Sequence, residues 1–332
     1  MPDLIYDNHG RPITYLRLAV TDRCNLRCFY CMPAEGIRYL PKRELLTYEE
    51  MLQMVRLMAA MGVSKVRITG GEPFVRKDLM YFLRQLSQIK GIEDINITTN
   101  GVLTTDYVAE LKQLGVRSVN LSLDTFDRER FKEITRRDEF EKVKACFDLL
   151  IAHEVHTKIN AVVMEGKNTD DIIPLAELTR DYPVDVRFIE EMPFNGEGSH
   201  YPVLVWTHRK ILEKLSGRYP DIQKVKDAAH STSYNYHIPG HQGNVGIIAA
   251  FSRTFCGSCN RIRVTAQGTL KTCLYDEGVL DIRKLMRSGA SDHEIQDALK
   301  KAFGNRAKDG FEAEKSRQAS HPASESMSTI GG

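Results

Sequence analysis

Residues 65–69, Lys65-Val66-Arg67-Ile68-Thr69, run straight into Gly70-Gly71-Glu72-Pro73. Successive side chains of a strand point to opposite faces. Val66 and Ile68 therefore share one face, while Lys65, Arg67 and Thr69 share the other. The same alternation recurs in YLRLAV (15–20), INITTN (95–100), SVNLSL (118–123), TKINAVV (157–163) and VDVRFIE (184–190). Leu16 and Leu18 oppose Arg17. Ile159 and Ala161 oppose Lys158 and Asn160. Val186 and Phe188 oppose Asp185 and Arg187. Asn96, Thr98 and Asn100 share a face, as do Asn120, Ser122 and Asp124.

Helical patterns separate these strands at 47–62, 79–89, 106–115, 141–153 and 170–181, and Gly115 stands where a helix C-cap belongs. Strands alternating with helices imply a parallel sheet, because parallel neighbours need a crossover. Parallel strands covered on both faces are usually apolar throughout, and a closed eight-stranded barrel fills its lumen with branched apolar side chains. Here the apolar set meets the helices and the polar set is left for a common interior. The expectation is an α/β fold: an open, partial (βα)6 barrel of the TIM type around a polar ligand. An open sheet with one solvated face is the alternative, which this many helices disfavours.

After Pro193 the pattern changes. PFNGEGSHYP (193–202) reads as a linker, 206–217 as a helix, and 233–238, 244–250, 261–268 and 269–276 as short strands, with a hairpin turn at Gln267-Gly268. Helices are expected at 281–289 and 292–304. The division is 1–200 as barrel core, 201–305 as a C-terminal α+β extension, and 306–332 as a polar, Ser-rich mobile tail ending in Gly331-Gly332.

The chain has 332 residues, 42% hydrophobic and 27% charged, with net charge +2. That is the composition of a globular protein with a real core, and it argues against nucleic-acid binding driven by bulk charge. No apolar run is long enough for a membrane span, and the start MPDLIYDNHGRP has no secretory h-region. A cytoplasmic location is the expectation, and there clustered cysteines read as metal ligands or redox groups before disulfides. Of seven cysteines, Cys24, Cys28 and Cys31 form one triplet and Cys256, Cys259 and Cys273 another. Cys146, alone in a helical run, reads as a small buried residue.

The spacing C-x3-C-x2-C can wrap three thiolates around one face of a four-iron cluster, leaving one iron open. Structural zinc usually wants four protein ligands. The second triplet is less decided by spacing. A C-x2-C pair with a third cysteine on a hairpin suits a cluster, and equally zinc completed by His230, His237 or His241. No G-x-x-x-x-G-K-[ST] loop occurs in the chain.

The first triplet, with Thr69-Gly70-Gly71-Glu72-Pro73 after the second strand, resembles the radical S-adenosylmethionine (SAM) superfamily. The whole chain, including YLRLAVTDRCNLRCFYCMP, KVRITGGEP, CGSCNRIRVTAQGTLKTCL and the terminal Gly-Gly, is similar to the GTP 3′,8-cyclase family of molybdenum cofactor biosynthesis. The resemblance implies two [4Fe–4S] clusters, one on each triplet, with SAM on the open iron of the first and the guanine of GTP on that of the second. It implies SAM contacts at Tyr30, Gly71, Glu72, Ser122 and Met192. It implies GTP contacts at Arg17, Lys65, Arg67, Thr98, Lys158, Arg187, Arg261 and Arg263, the last two on one strand face with Thr265. Catalytic parts are implied for Arg17, Arg261, Arg263 and a tail carrying Gly331 and Gly332 into the site.

The implied reaction begins with a 5′-deoxyadenosyl radical taking hydrogen from ribose C3′ of GTP. Attack of C3′ on guanine C8 then gives 3′,8-cyclo-7,8-dihydro-GTP for cyclic pyranopterin monophosphate synthase. An external electron donor and a homodimer are further implications. Rival readings are a radical SAM peptide modifier and an electron-transfer iron–sulfur protein. A peptide needs no basic lumen, and an electron carrier has no use for an open iron.

Overall fold

The structure, a computed structural model, describes residues 4–194, 203–317 and 325–331. Six strands follow one another in chain order: β1 (Tyr15–Ala19), β2 (Lys65–Thr69), β3 (Asp94–Thr99), β4 (Ser118–Ser122), β5 (Thr157–Val163) and β6 (Asp185–Glu190). Each pairs with the next in parallel. The crossovers are the helices Tyr48–Ala60, Leu79–Leu86, Val108–Gln113, the pair Arg128–Thr135 and Phe140–Ala152, and Ile172–Asp181. The first of these starts at a capping box, in which Thr47 Oγ1 accepts from Glu50 N–H and Glu50 Oε2 accepts from Thr47 N–H at 2.7 Å.

The apolar faces behave as the alternation requires. Leu16, Leu18, Val66, Ile68, Ile159, Val186 and Phe188 are buried in one core with the helices. Cys146 lies in that core too. Burying such side chains is worth about 1.5–3 kcal/mol each, so the strand faces cannot exchange without a large penalty, and the polar face is held inward.

The remaining strands are β7 (Gln223–Lys224), β8 (Ser233–His237), β9 (Asn244–Ile248), β10 (Arg261–Val264), β11 (Thr269–Lys271) and β12 (Leu280–Asp281). The sheet order is β12-β11-β10-β1-β2-β3-β4-β5-β6-β9-β8-β7. β9 joins β6 in parallel, β10 joins β1 in parallel, and each carries an antiparallel partner outward. The barrel stays open, as expected. What the sequence did not disclose is that its extension lengthens the sheet at both edges, because pairing partners so far apart in the chain leave no local pattern.

Two further helices, Gly310–Lys315 and Met327–Ile330, fall in the stretch read from composition as a tail. Ile330 packs with Phe194, Tyr275 and Ala313 in a small second core. Gly332 and most of the 193–202 linker lie outside the described residues. Among the described residues no helix is long and apolar enough to cross a membrane.

Candidate functional site: two cysteine triplets in one basic cavity

Strand register brings the polar faces into belts. Arg263 of β10 pairs with Arg17 of β1, which pairs with Arg67 of β2, which pairs with Asn96 of β3. A second belt runs Arg261, Tyr15, Lys65 and Asp94, and a third Ser122, Asn160 and Arg187. All of these except Asp94 face a cavity of about 720 Å³ that is also lined by all six clustered cysteines. Tyr30, Gly71, Thr98, Lys158 and Met192 line it as well.

The first triplet sits on the loop after β1. Cys31 N–H donates to Cys28 O at 2.9 Å, and Arg27 and Phe29 N–H donate to Thr135 and Ile134 carbonyls at 2.9 and 3.1 Å. The loop is thereby pinned to the end of the helix Arg128–Thr135. The Gly70-Gly71 pair has a packing reason. A Cβ on Gly71 would stand 2.2 Å from Arg23 O, and one on Gly70 would stand 2.4 Å from Thr21 O. Only glycine lets the β2 turn lie against the backbone that leads into the cysteines.

Glu72 sits behind the cavity wall. It is fully buried and does not line the cavity. Its carboxylate accepts from Asn100 N–H at 2.6 Å, Thr99 Oγ1 at 2.8 Å and Phe74 N–H at 3.2 Å, so it clasps the β2 turn to the end of β3. Burial pushes its pKa up to about 7 against those hydrogen bonds. Burial likewise raises Asp124 to about 6, although it accepts from Val162 N–H and from Tyr30 Oη at 2.8 Å. Beside these acids, burial and the Glu72 charge push Cys24 up to about 12. Cys28 and Cys31 are raised by burial with Asp124 nearby.

The second triplet has mixed neighbours: Asp309 by Cys256, Asp276 by Cys273, and two guanidiniums by Cys259. Burial raises Cys273 to about 11. Burial opposes ionisation of Cys259 too, yet the Arg261 and Arg306 charges bring it down to about 6. Cys24, Cys28, Cys256 and Cys273 each feel other thiols of their own triplet. Among the described residues no three of His, Cys, Asp and Glu are placed to hold a single metal ion. His230 contacts Ser258 O through Nδ1, and His241 is taken up by Thr179 Oγ1 at 2.8 Å. A zinc centre finds no support in this geometry. A cluster, whose thiolates bind different irons, does not need its sulfurs around one point.

Between the triplets the cavity carries crowded positive charge. Burial and the neighbouring Arg263 push Arg17 well down, while burial with like charges brings Arg263 and Arg187 to about 10 and Lys158 to about 8. Asp94 pairs with Lys65 at 2.6 Å and Asp185 with Lys158 at 3.3 Å. The buried Arg187 Nε, Arg261 Nη2, and Oδ1 of Asn120 and Asn160 find no hydrogen-bond partner among the described residues. Unsatisfied buried polar atoms cost about 1–3 kcal/mol each, so such a cavity is built for a polar, anionic ligand.

The tail reaches the same place. Ser326 Oγ donates to Cys31 O at 2.7 Å, and Gly331 O accepts from Arg263 Nη1 at 2.7 Å. Gly331 has φ of 78°, and a Cβ there would stand 2.7 Å from Thr69 Oγ1. Sequence reasoning missed Tyr15, whose parity with Arg17 was the available signal. Tyr15 Oη accepts from Arg67 Nε at 2.5 Å, and although burial opposes it, Arg67 and Arg17 lower its pKa to about 8. Arg306, which donates to Cys259 Sγ at 3.2 Å, had no sequence signal at all.

Comparison with known proteins agrees with this geometry. The family described as the radical SAM superfamily matches residues 18–179, and the one described as Molybdenum Cofactor Synthesis C matches residues 184–311. The GTP 3′,8-cyclase of Clostridium perfringens is 40% identical over 298 residues, covering 90% of this chain and 91% of that protein. The mitochondrial GTP 3′,8-cyclase of Arabidopsis thaliana is 41% identical over 298 residues, covering 90% and 76%. Molybdenum cofactor biosynthesis protein 1 of Drosophila melanogaster is 42% identical, and the chain spans 54% of its length. The chain thus spans about half the length of several of the animal proteins it matches. Among solved structures, native anSMEcpe with bound AdoMet superposes with a TM-score of 0.58 at 18% identity, covering 92% of this chain and 84% of that one. Streptococcus suis SuiB gives 0.61 at 14% identity, covering 90% and 67%. These two show the fold alone. With both triplets, the glycine turn and the basic belts in one cavity, the chain belongs to the GTP 3′,8-cyclase family of the radical SAM superfamily.

Proposed function

We propose that the chain converts GTP to 3′,8-cyclo-7,8-dihydro-GTP, the opening step of molybdenum cofactor biosynthesis, with the product passing to cyclic pyranopterin monophosphate synthase. The observation that carries this reading is the registered row Arg263–Arg17–Arg67, in the same cavity as both triplets. Cys24, Cys28 and Cys31 would hold one [4Fe–4S] cluster and Cys256, Cys259 and Cys273 the other. The buried donors and acceptors without partners fit ligands that enter the cavity. When bound and supplied with an electron from an external donor, the first cluster and SAM provide a 5′-deoxyadenosyl radical for hydrogen removal at C3′ and closure onto C8.

The chain's own groups bind, orient and exclude water. A triphosphate carries roughly four negative charges, and guanidinium forks meet phosphate oxygens in bidentate fashion. Arg17, Arg67, Arg187, Lys65 and Lys158 are spaced around the lumen to take these charges. Thr98, whose Oγ1 lies 3.5 Å from Arg67 Nη1, adds a neutral contact. Arg261 and Arg263 stand beside the second triplet, where the base would sit. Tyr30, Gly71, Ser122 and Met192 line the SAM end, with Tyr30 held by Asp124. Gly331, bonded to Arg263, brings the tail against the reacting region, and Gly332 follows it.

The test is anaerobic incubation of the reconstituted chain with GTP, SAM and a reductant. GTP-dependent 5′-deoxyadenosine together with a cyclised nucleotide is expected. Absence of both would falsify the assignment.

A further inference from the structure

One buried cluster outside the assigned residues touches every segment of the second triplet. Asp7, Arg11 and Arg306 are 6%, 6% and 4% exposed. The Asp7 carboxylate accepts from Arg11 Nε at 2.6 Å and from Arg306 Nη1 at 3.2 Å. Arg11 Nη1 donates to Cys256 O at 3.1 Å. Arg306 Nη1 donates to Cys259 O at 2.9 Å, its Nε to Thr272 O at 2.9 Å, and its Nη2 to Cys259 Sγ at 3.2 Å. Thr272 directly precedes Cys273. The loop that supplies Asp7 and Arg11 is fixed to the same segment, since Asn8 Oδ1 accepts from Arg306 N–H at 3.0 Å.

Arg11 also joins the chain's two ends, donating to Lys308 O at 2.6 Å and Ala307 O at 2.8 Å. Arg306 does more than that. Two guanidiniums share the Asp7 carboxylate, which leaves this trio one positive charge in excess, and one fork points at the Cys259 sulfur, while Asp309 and Asp276 stand by Cys256 and Cys273. The sulfurs of the first triplet are treated differently. Among the described residues Cys24 Sγ receives Leu26 N–H at 3.4 Å and the Asn100 amide at 3.8 Å, and Cys31 Sγ lies 3.9 Å from Ser326 Oγ, all neutral groups.

A cubane held by three thiolates is anionic, and it gains a further negative charge on reduction. A buried cation bonded to one of its sulfurs favours the reduced form, since hydrogen bonds and charge around the sulfurs set cluster potentials. We infer that Arg306, held by Asp7 and Arg11, is a positioning residue for the second cluster: it orients the Cys259 thiolate and raises that cluster's reduction potential. This inference rests on the proposal that the second triplet binds a cluster.

The test uses the full chain carrying Cys24→Ala, Cys28→Ala and Cys31→Ala, reconstituted anaerobically so that retained iron reports the second triplet alone. Iron and sulfide per chain, the electron paramagnetic resonance spectrum of the reduced cluster and its midpoint potential are measured, with circular dichroism of the metal-free chain as the folding check. In this background Arg306→Gln is expected to weaken iron retention by roughly ten- to a hundred-fold, the usual loss when a ligand's outer partner is removed. Arg306→Lys keeps the charge and loses the fork. It is expected to retain iron with an altered spectrum and a lower midpoint potential, and it decides the matter if Arg306→Gln does not fold. A parent that retains its cluster, with Arg306→Lys unchanged in spectrum and potential, overturns the inference alone. A parent that retains no iron overturns the cluster reading and this inference with it.

Discussion

At Cys24, Cys28 and Cys31 the leading neighbouring charges are the carboxylates of Glu72 and Asp124, whereas at Cys259 they are the guanidiniums of Arg261 and Arg306. Both triplets open into one cavity, with two buried carboxyls behind its wall at the first triplet and Arg261 and Arg306 lining it beside Cys259. On the proposed reading each pole suits one ligand. SAM brings a sulfonium to the end backed by Glu72 and Asp124, and GTP brings its phosphates to the basic belts. The difference teaches that two sites with the same three thiolates are told apart by what surrounds the sulfurs.

The sharpest way to break the comparison is to remove one triplet at a time. Replacing Cys24, Cys28 and Cys31 by alanine is expected to reduce 5′-deoxyadenosine formation to background while GTP still binds. Replacing Cys256, Cys259 and Cys273 is expected to leave slow, uncoupled SAM cleavage and no cyclised product. Chromatography of both products with equilibrium binding of GTP reads the outcome. Identical defects in the two triple variants would show that the poles are not functionally distinct.

Next in size comes the basic belt. Arg67→Ala removes a buried cation that register sets beside Arg17. Hydrogen bonds to charged groups are worth about 1.5–3 kcal/mol, so kcat/KM for GTP is expected to fall roughly ten- to a hundred-fold. SAM binding, measured by calorimetry, should stay unchanged. A loss of SAM affinity equal to the loss for GTP would contradict the division of the cavity.

A smaller effect is expected at Gly331, which spans the two poles. Its neighbour Ser326 bonds Cys31 O, and its own carbonyl bonds Arg263. Gly331→Ala places a Cβ 2.7 Å from Thr69 Oγ1 and 3.2 Å from Ala19 Cβ, on a residue with φ of 78°. The left-handed conformation alone costs about 1–2 kcal/mol for a residue other than glycine, a roughly five- to thirty-fold fall in the docked population. Turnover should drop by that factor with the melting temperature unmoved. Unchanged turnover would mean that the tail is a bystander.

How much of this was legible follows from how local each signal is. The lumen was readable because strand alternation is a property of five to seven consecutive residues, and it placed Arg17, Arg67, Lys158 and Arg187 inside before any pairing was known. The cysteine spacing was readable for the same reason. The direction of Glu72 was not legible, because its motif fixes that the residue is needed and not which way it points. Its three donors come from Phe74, Thr99 and Asn100, two of them across the sheet. The attachment of β10 to β1 and the grip of Arg306 on Cys259 both join residues more than 40 positions apart. Nothing in the local sequence announces either.

The smallest expected effect tests the poles through pH. Burial raises Glu72 from its ordinary 4.5 to about 7, so the folded metal-free chain binds more protons than the unfolded one between those values. Its contribution to stability is fully present below pH 4.5 and lost as pH rises through 7. Lys158 works in the opposite direction. Burial and the Arg187 charge depress it from 10.5 to about 8, so its contribution is present above pH 10.5 and lost as pH falls through 8. Urea unfolding of the metal-free chain should therefore lose stability with rising pH in the first window and gain it in the second. Glu72→Gln should flatten only the acidic slope, and Lys158→Met only the alkaline one. Phosphates bound beside Lys158 would restore its charge, so saturating GTP should flatten the alkaline slope and leave the acidic slope as it was. An alkaline slope that survives GTP would place the triphosphate away from Lys158 and reverse the orientation that the polarity of the cavity implies.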